Sequence, residues 1–213
     1  MDFGFDLSSI FSSEIARIGS DMLPQGGLPP GSPYGNKNLG QVQGKIMEII
    51  DVMGQASAVA QVLKAPITSA NKVRNMTEHI VYLLIDHTHN VVVGLLKVGK
   101  KNLYLLDRRG EQHEVCPMCI LDFYVHESRQ RSGCGRKIFE HMLAEQNMHP
   151  RFMAIDRPSP KLLGFLRKYY DLANIIQQVN NYVIYEGFFN NSLLECSPGP
   201  KRARIYMGKL QYV

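Results

Sequence analysis

Long hydrophobic runs are missing from this chain: in its 213 residues no uninterrupted apolar stretch approaches the ~18–20 residues that span a bilayer. No membrane span is therefore expected. The opening Met1-Asp2-Phe3-Gly4-Phe5-Asp6 carries acid where an export signal carries lysine or arginine. An intracellular, cytoplasmic protein is expected. Cysteine is sparse and irregularly placed, at Cys116, Cys119, Cys134 and Cys196, and without an export signal a disulfide framework is not expected. Cys116-Pro117-Met118-Cys119 is a lone C-x-x-C. Structural zinc takes four ligands, usually as two such pairs; His113 offers a third ligand but no second pair follows. A thioredoxin-type pair would open a helix, whereas Cys119 begins a strand-like run. Neither metal nor thiol redox chemistry is expected. Zinc-finger, homeodomain and basic-zipper patterns are absent, as are basic stretches interleaved with aromatics, so nucleic acid is not an expected partner. Internal repeats are absent too.

What is there fits a globular protein, with 45% hydrophobic and 20% charged residues. Lysine and arginine total 24 against 19 aspartate and glutamate, a formal charge of +5. The excess favours acidic partners, a polyphosphate ligand among them, without choosing one.

Residues 1–40 read as an accessory arm whose first part can dock on the body. Phe5, Leu7, Ile10, Phe11, Ile15 and Ile18 are spaced to line one helical face, and Leu23 to Pro33 is proline- and glycine-rich linker chemistry. The ordered domain is expected over residues 41–190. It opens with a helix carrying Val42, Ile46, Ile49, Ile50 and Met53, closed by Pro66. Strands are expected at His79–Asp86, Val91–Val98 and Leu103–Asp107, joined by turns short enough for antiparallel hairpins. A fourth strand, Cys119–His126, leads through a glycine-containing loop into a helix from about Gly135 with Ile138, Phe139, Met142 and Leu143 on one face. Phe152–Asp156 reads as a strand, and Ser159-Pro160 as an N-cap and first helical position for a helix to about Tyr170. Val179–Phe189 is the last expected strand. Residues 191–213 form a tail containing Lys201, Arg202, Arg204 and Lys209. This order gives an α/β (α+β) fold: a mixed, mostly antiparallel central sheet flanked by helices, with later strands parallel where a crossover helix joins them.

The loop Gln130-Arg131-Ser132-Gly133-Cys134-Gly135-Arg136 carries the chemistry. Its glycines let the backbone turn sharply and expose N–H groups. The helix that follows adds unpaired donors and a positive dipole end, which suits phosphate oxygens. Arg131 and Arg136 add charge. Walker and Rossmann spacings are absent. On its own the loop reads equally as an ordinary strand–helix connection.

Q-x-x-G-x-G after a central strand resembles the acetyl-CoA loop of the GNAT acetyltransferases. Pro66-Ile67-Thr68-Ser69, Cys119 to Ser128, Ala154-Ile155-Asp156-Arg157-Pro158-Ser159 and Gln178 to Phe189 closely resemble the α-tubulin N-acetyltransferase family. The likeness runs from about Gln41 to Phe189. It implies a GNAT-like fold and transfer of acetyl from acetyl-CoA, with no metal, to a lysine side chain of α-tubulin inside the microtubule lumen, by a cytoskeletal enzyme acting as a monomer. The alternatives are an acetyltransferase for another protein lysine or a small amine, and a catalytically weak microtubule-binding module. The resemblance places acetyl-CoA on Phe123, Tyr124, Val125, Gln130, Arg131, Ser132, Gly133, Cys134, Gly135 and Arg136, and on Ser159, Lys161, Leu162, Phe165 and Lys168. It makes Asp156, Cys119 and Gln61 the catalytic candidates, with Arg157, Ile67, Tyr182, Lys97 and Lys101 for substrate contact.

Spacing alone leaves humbler roles open: Asp156 as a turn cap, Cys119 as a buried small hydrophobe, Gln61 as a surface residue and Arg157 as an ion-pair partner of Asp156. Lys72, Lys97 and Lys101 read as solvated surface charges first. Between Asp107 and Met118 the chain is more basic than the resemblance leads one to expect. A lysine ammonium at pKa ~10.4 must lose a proton before it attacks a thioester. Asp156 and Cys119 are expected to share that task, the cysteine as thiolate or through water.

Overall fold

A computed structural model describes residues 1–24 and 37–190 of the chain. Seven strands form the central sheet: β1 (Ile15–Ile18), β2 (His79–Asp86), β3 (Val91–Lys100), β6 (Met118–Val125), β7 (Ala154–Asp156), β8 (Ile175–Ile176) and β9 (Tyr182–Tyr185). Their spatial order is β1-β2-β3-β6-β7-β9-β8. Every neighbouring pair is antiparallel except β6 and β7. Those two are joined by α3 (Cys134–Glu145), the crossover a parallel pair requires. β4 (Leu103–Leu106) and β5 (Gln112–Val115) form a separate hairpin. The expected class, a mixed and mostly antiparallel sheet flanked by helices, is the observed one.

Apolar side chains divide between the two faces of the sheet. On one, α1 (Lys37–Ala60) and α2 (Ala70–Arg74) bury Ile46, Ile49, Ile50, Met53 and Val73 against Val81, Leu83, Ile85 and Leu95. On the other, α3 and α4 (Pro160–Tyr170) bury Ile138, Phe139, Met142, Leu162 and Leu166 against Tyr82, Leu84, Leu96, Ile120 and Ile155. A third cluster, with Leu105, Val115, Cys119, Leu121, Ala154 and Ile184, seats the β4–β5 hairpin on β6, β7 and β9.

The segment read as an arm does not form the helical face expected of it. Phe3, Leu7, Phe11, Ile18 and Leu23 are buried in the α1-side core, and β1 pairs along β2. The apolar spacing matched a helical face, but turns carried by Asp6, Ser9 and Ser13 break any helix there, and the free edge of β2 offers Ile15–Ile18 a full set of backbone partners. Residues 1–24 thus pack as part of the domain. Most of the linker and the whole basic tail, Cys196 included, lie outside the described residues.

Three smaller differences follow from turn chemistry. Leu103–Leu106 pairs with β5 rather than β3, because Asp107 accepts the backbone N–H groups of Arg109 and Glu111 and Gly110 turns at φ +83°, closing a tight hairpin. β9 runs antiparallel to β7: α4 returns into the short β8, and β9 inserts between β8 and β7. The last strand is also shorter than expected, ending at Tyr185 before Gly187 at φ +84° and a 3-10 turn at Phe188–Asn190. Among the described residues no helix is long and apolar enough to cross a membrane.

Candidate active site

Pairing between β3 and β6 slips by one residue: Lys97 faces Asp122 while Val98 faces Ile120, so Leu121 is skipped. A bulge of this kind re-aims the side chains beyond it. Cys119, Leu121, Asp122 and Tyr124 fall on the side of α1 and the hairpin, while Ile120, Phe123 and Val125 fall on the side of α3 and α4. Asp122 is buried in this turn of the strand. Its Oδ1 accepts from Ser57 Oγ at 2.6 Å and Gln61 Nε2 at 3.0 Å, and its Oδ2 accepts from Thr68 Oγ1 at 2.6 Å. Gln61 Nε2 also donates to Ser57 Oγ at 2.7 Å, which fixes the amide nitrogen and leaves its oxygen to accept elsewhere.

β6 and β7 pair over just two positions, Cys119 with Ala154 and Ile120 with Ile155. Beyond them β6 continues to Val125 whereas β7 stops at Asp156, which opens a wedge between the strands. Alternation puts Asp156 on the face of Ala154 and Cys119. Tyr182 on β9 is the direct partner of Asp156 and shares that face. Burial pushes the Asp156 carboxyl above its ordinary range, although Arg157 and Lys101 pull it down. Burial pushes the Cys119 thiol far up; Lys101 opposes the shift and Asp156 adds to it. Cys119 is fully buried and donates weakly to the Pro117 carbonyl at 3.5 Å. It is a thiol in this environment, so the expected thiolate base is not supported by its surroundings.

On the α3–α4 side, Gln130 Nε2 donates to the Val125 carbonyl at 2.9 Å and its Oε1 faces Lys161 Nζ at 3.5 Å, tying the loop to the strand and to α4. Arg131 and Gly133 take left-handed backbone angles, φ 64° and 88°. Gly133 is the N-cap of α3 and supplies no side-chain hydrogen bond, so the first N–H groups of the helix stay available. Ser132 Oγ donates to the Arg129 carbonyl, and Cys134 is the first helical residue. Arg136 lies over the Tyr169 ring at 5.3 Å, with Lys168 on the same ring at 4.9 Å. Ser159 caps α4 through the Leu162 N–H, and Phe165 packs edge-on against Phe123. The result is a basic, backbone-lined nest beside an aromatic wall, opening toward the β6–β7 wedge.

A family model described as "GNAT acetyltransferase, Mec-17" matches residues 3–209. The chain belongs to this family. It is 50% identical over 193 residues to a protein of Aedes aegypti named alpha-tubulin N-acetyltransferase, covering 90% of this chain and 69% of that one. An Anopheles gambiae protein of the same name is 48% identical over 89% of this chain. Alpha-tubulin N-acetyltransferase 1 of Danio rerio is 47% identical over 90% of it. The chain spans 38% of the Anopheles protein's length and 63% of the Danio protein's.

For this member of the Mec-17 acetyltransferases, the structure brings Cys119, Asp156, Tyr182, Arg157 and Lys101 to one end of the wedge and the Gln130–Arg136 nest to the other. Arg157, at φ 43°, holds its Nε 3.8 Å from Asp156 Oδ1 and stays exposed. Lys97 departs from its expected place. It is buried opposite Asp122, with Nζ 3.4 Å from the Ile67 carbonyl, and is neither a solvated charge nor a surface contact. Ile67 thus serves this lysine with its backbone while its side chain is half-buried. Tyr124 also departs: its ring lies in the α1-side core and its hydroxyl donates to Glu127, so only its backbone is near the cofactor side. His113 hydrogen-bonds to Asp107 on the hairpin and packs on Phe189, away from any cysteine pairing. The described cysteines are free. Sequence reasoning missed Asp122, Ser57 and Thr68. The signal was an acid set in the otherwise apolar run Cys119–Val125.

Proposed function

We propose that this chain transfers acetyl from acetyl-CoA to the ε-amine of a lysine of α-tubulin, on the lumenal side of the microtubule. The observation that carries the reading is the wedge between β6 and β7, with a phosphate-fitting nest at one end and Asp156 beside a closed, buried thiol at the other. Resemblance to proteins named for this activity supports the choice of substrate.

The N–H groups opening α3, with Arg131 and Arg136, suit the pyrophosphate, and Phe123 and Phe165 line the path of the donor's arm. The donor is itself the acyl carrier, so no covalent enzyme intermediate is required. The β6 backbone beyond Ile120, which has no β7 partner, supplies fixed donors for the carbonyl oxygen as charge grows on it. The lysine enters from the hairpin side, where Asp156 takes its proton and partial desolvation lowers the ammonium pKa. The oxygen of Gln61, whose nitrogen is held by Ser57 and Asp122, adds an acceptor on the α1 side of the sheet.

The test is acetyl transfer to polymerised tubulin with the modified lysine located by mass spectrometry. Modification of one α-tubulin lysine is expected. Transfer to small amines with none to microtubules would sink the substrate assignment.

A further inference from the structure

The tip of the β4–β5 hairpin gathers three side chains that the acetyltransferase reading leaves without a task. Register brings them together. Leu105 pairs with His113, and one rung further on the Asp107 N–H donates to the Glu111 carbonyl at 2.9 Å. Alternation along each strand then turns Asp107, Glu111 and His113 to the same face. One carboxylate oxygen of each acid and one ring nitrogen of His113 lie within 4.8 Å of one another.

The three groups differ in what already holds them. Asp107 Oδ1 accepts the N–H groups of Arg109 and Glu111, which fixes the carboxylate and leaves Oδ2 facing His113 Nε2 at 3.2 Å. Two ligands of a tetrahedral zinc stand about 3.3 Å apart, given bonds of ~2.0–2.1 Å. The Phe189 ring braces the imidazole at 4.9 Å, and Gln178 clamps β4 at Leu106 by bonding to both its N–H and its carbonyl. The exposed Glu111 carboxylate makes no hydrogen bond or ion pair among the described residues. Arg108, in the same turn, is paired with Glu186 instead. Glu111 thus brings a second negative charge to the Asp107–His113 pair with no basic side chain of its own.

We infer that Asp107, Glu111 and His113 bind a zinc ion at the hairpin tip, with water in the fourth position. An imidazole beside two carboxylates suits zinc, whereas calcium and magnesium take oxygen ligands. The ion replaces the Asp107–His113 hydrogen bond. His113 must then present a bare Nε2, so a proton held there moves to Nδ1 or leaves to solvent. Neither cysteine of the C-x-x-C belongs to the cluster. A bound ion would cross-link the two strands of the hairpin and cancel the paired negative charges at its tip. The site stands apart from the wedge and goes beyond the acetyltransferase reading.

The test is calorimetric titration of zinc chloride into the whole chain at neutral pH, with cobalt(II) absorbance to identify the donor atoms. One zinc per chain is expected, with a cobalt spectrum free of thiolate charge-transfer bands. Glu111→Gln and His113→Asn are each expected to weaken zinc binding by at least about 100-fold, the upper end of what loss of a supporting outer group costs a metal site. Glu111 has no partner to lose, so Glu111→Gln should melt with the wild type in the absence of metal and keeps the test clear of a folding defect. Zinc held equally well by both variants, or lost in Cys116→Ser instead, would overturn the site. So would a folded wild-type chain that binds no zinc. None of these outcomes bears on acetyl transfer, which is measured separately.

Discussion

Lys97 and Asp122 stand directly opposite each other across the β3–β6 ladder, both buried. The carboxylate is further held by Ser57, Gln61 and Thr68, so one acidic side chain ties together α1, the connection to α2, and two central strands. An ion in such a place is tolerated only when its lone pairs are filled. Here the three side-chain donors fill them, and Gln61 is aimed as a by-product.

Stability should rise with pH between 8 and 10. Burial lowers the Lys97 pKa from 10.5 to about 8, against the pull of Asp122. Across that window the unfolded chain binds more protons than the folded one, so raising the pH favours folding. The Lys97 contribution should be about 2 kcal/mol, opposed from about pH 9 upward by the buried Cys119 thiol, whose proton the fold retains. Above pH 10 the sign reverses, because Tyr82, Tyr124 and Tyr170 are pushed up to about 12 and the fold holds their phenols protonated. Urea denaturation across the range is the measurement, with Lys97→Met as control. A wild-type slope equal to that of Lys97→Met would show that Lys97 is not the group responsible.

Val62→Gly should stabilise the protein. Leu63 N–H bonds to the Ala58 carbonyl, which makes Val62 the left-handed residue closing α1, at φ 55°. Glycine normally holds that position. The side chain is 91% exposed and offers little packing in return for its strain. A left-handed angle costs an L-residue about 1–2 kcal/mol, and the extra freedom of unfolded glycine offsets part of the relief. A net gain of about 0.5–1 kcal/mol is expected in chemical denaturation, with turnover unchanged because Gln61 keeps its anchors.

Elements whose signals were local were legible in the sequence. The helices α3 and α4 announced themselves through a glycine loop, a Ser-Pro cap and apolar periodicity, and the parallel β6–β7 pair followed from the crossover between them. β5 was not legible, since Gln112, His113 and Glu114 carry no apolar alternation and the strand exists because Asp107 and Gly110 close its hairpin. β1 was hidden because four residues on a sheet edge show too little pattern to outweigh a chance helical spacing. The Asp122 cluster joins residues 54 and 65 positions apart, which no local reading can bring together. Cys119 and Asp156 were nominated by resemblance alone; the register of β6 on β7 is what makes them neighbours.

Gly135→Ala should separate folding from cofactor binding. A Cβ there would meet Phe123 Cζ at 3.5 Å and Val125 Cγ2 at 3.7 Å, which is ordinary contact. Alanine also favours the helix by up to about 1 kcal/mol over glycine. The new methyl nonetheless stands beside the N–H groups that face the pyrophosphate. Calorimetry should find acetyl-CoA affinity lowered about tenfold in a variant that melts no earlier than wild type. Gly133→Ala differs, because Gly133 has open space but a φ of 88° and should lose stability as well. Full affinity in Gly135→Ala would place the donor elsewhere.

Asp156→Asn and Cys119→Ala should now part company in their pH profiles. The Asp156 carboxyl is raised by burial, so the acid limb of kcat/KM should lie above the ordinary carboxylate range, with activity appearing as the carboxyl ionises. Asp156→Asn should remove that limb and lower kcat by about 100-fold while leaving acetyl-CoA affinity intact. Cys119 is raised too far to ionise near neutrality, so its loss cannot remove a base from the working range. Cys119→Ala should lower stability modestly through the small cavity beside Leu121 and Ala154, and depress kcat by an amount constant across pH. The profile from pH 5 to 10 decides between them. An alkaline or acid limb that moves in Cys119→Ala but not in Asp156→Asn would return the proton to the thiol. Limbs unmoved in both would leave desolvation and positioning as the means by which the lysine becomes a nucleophile.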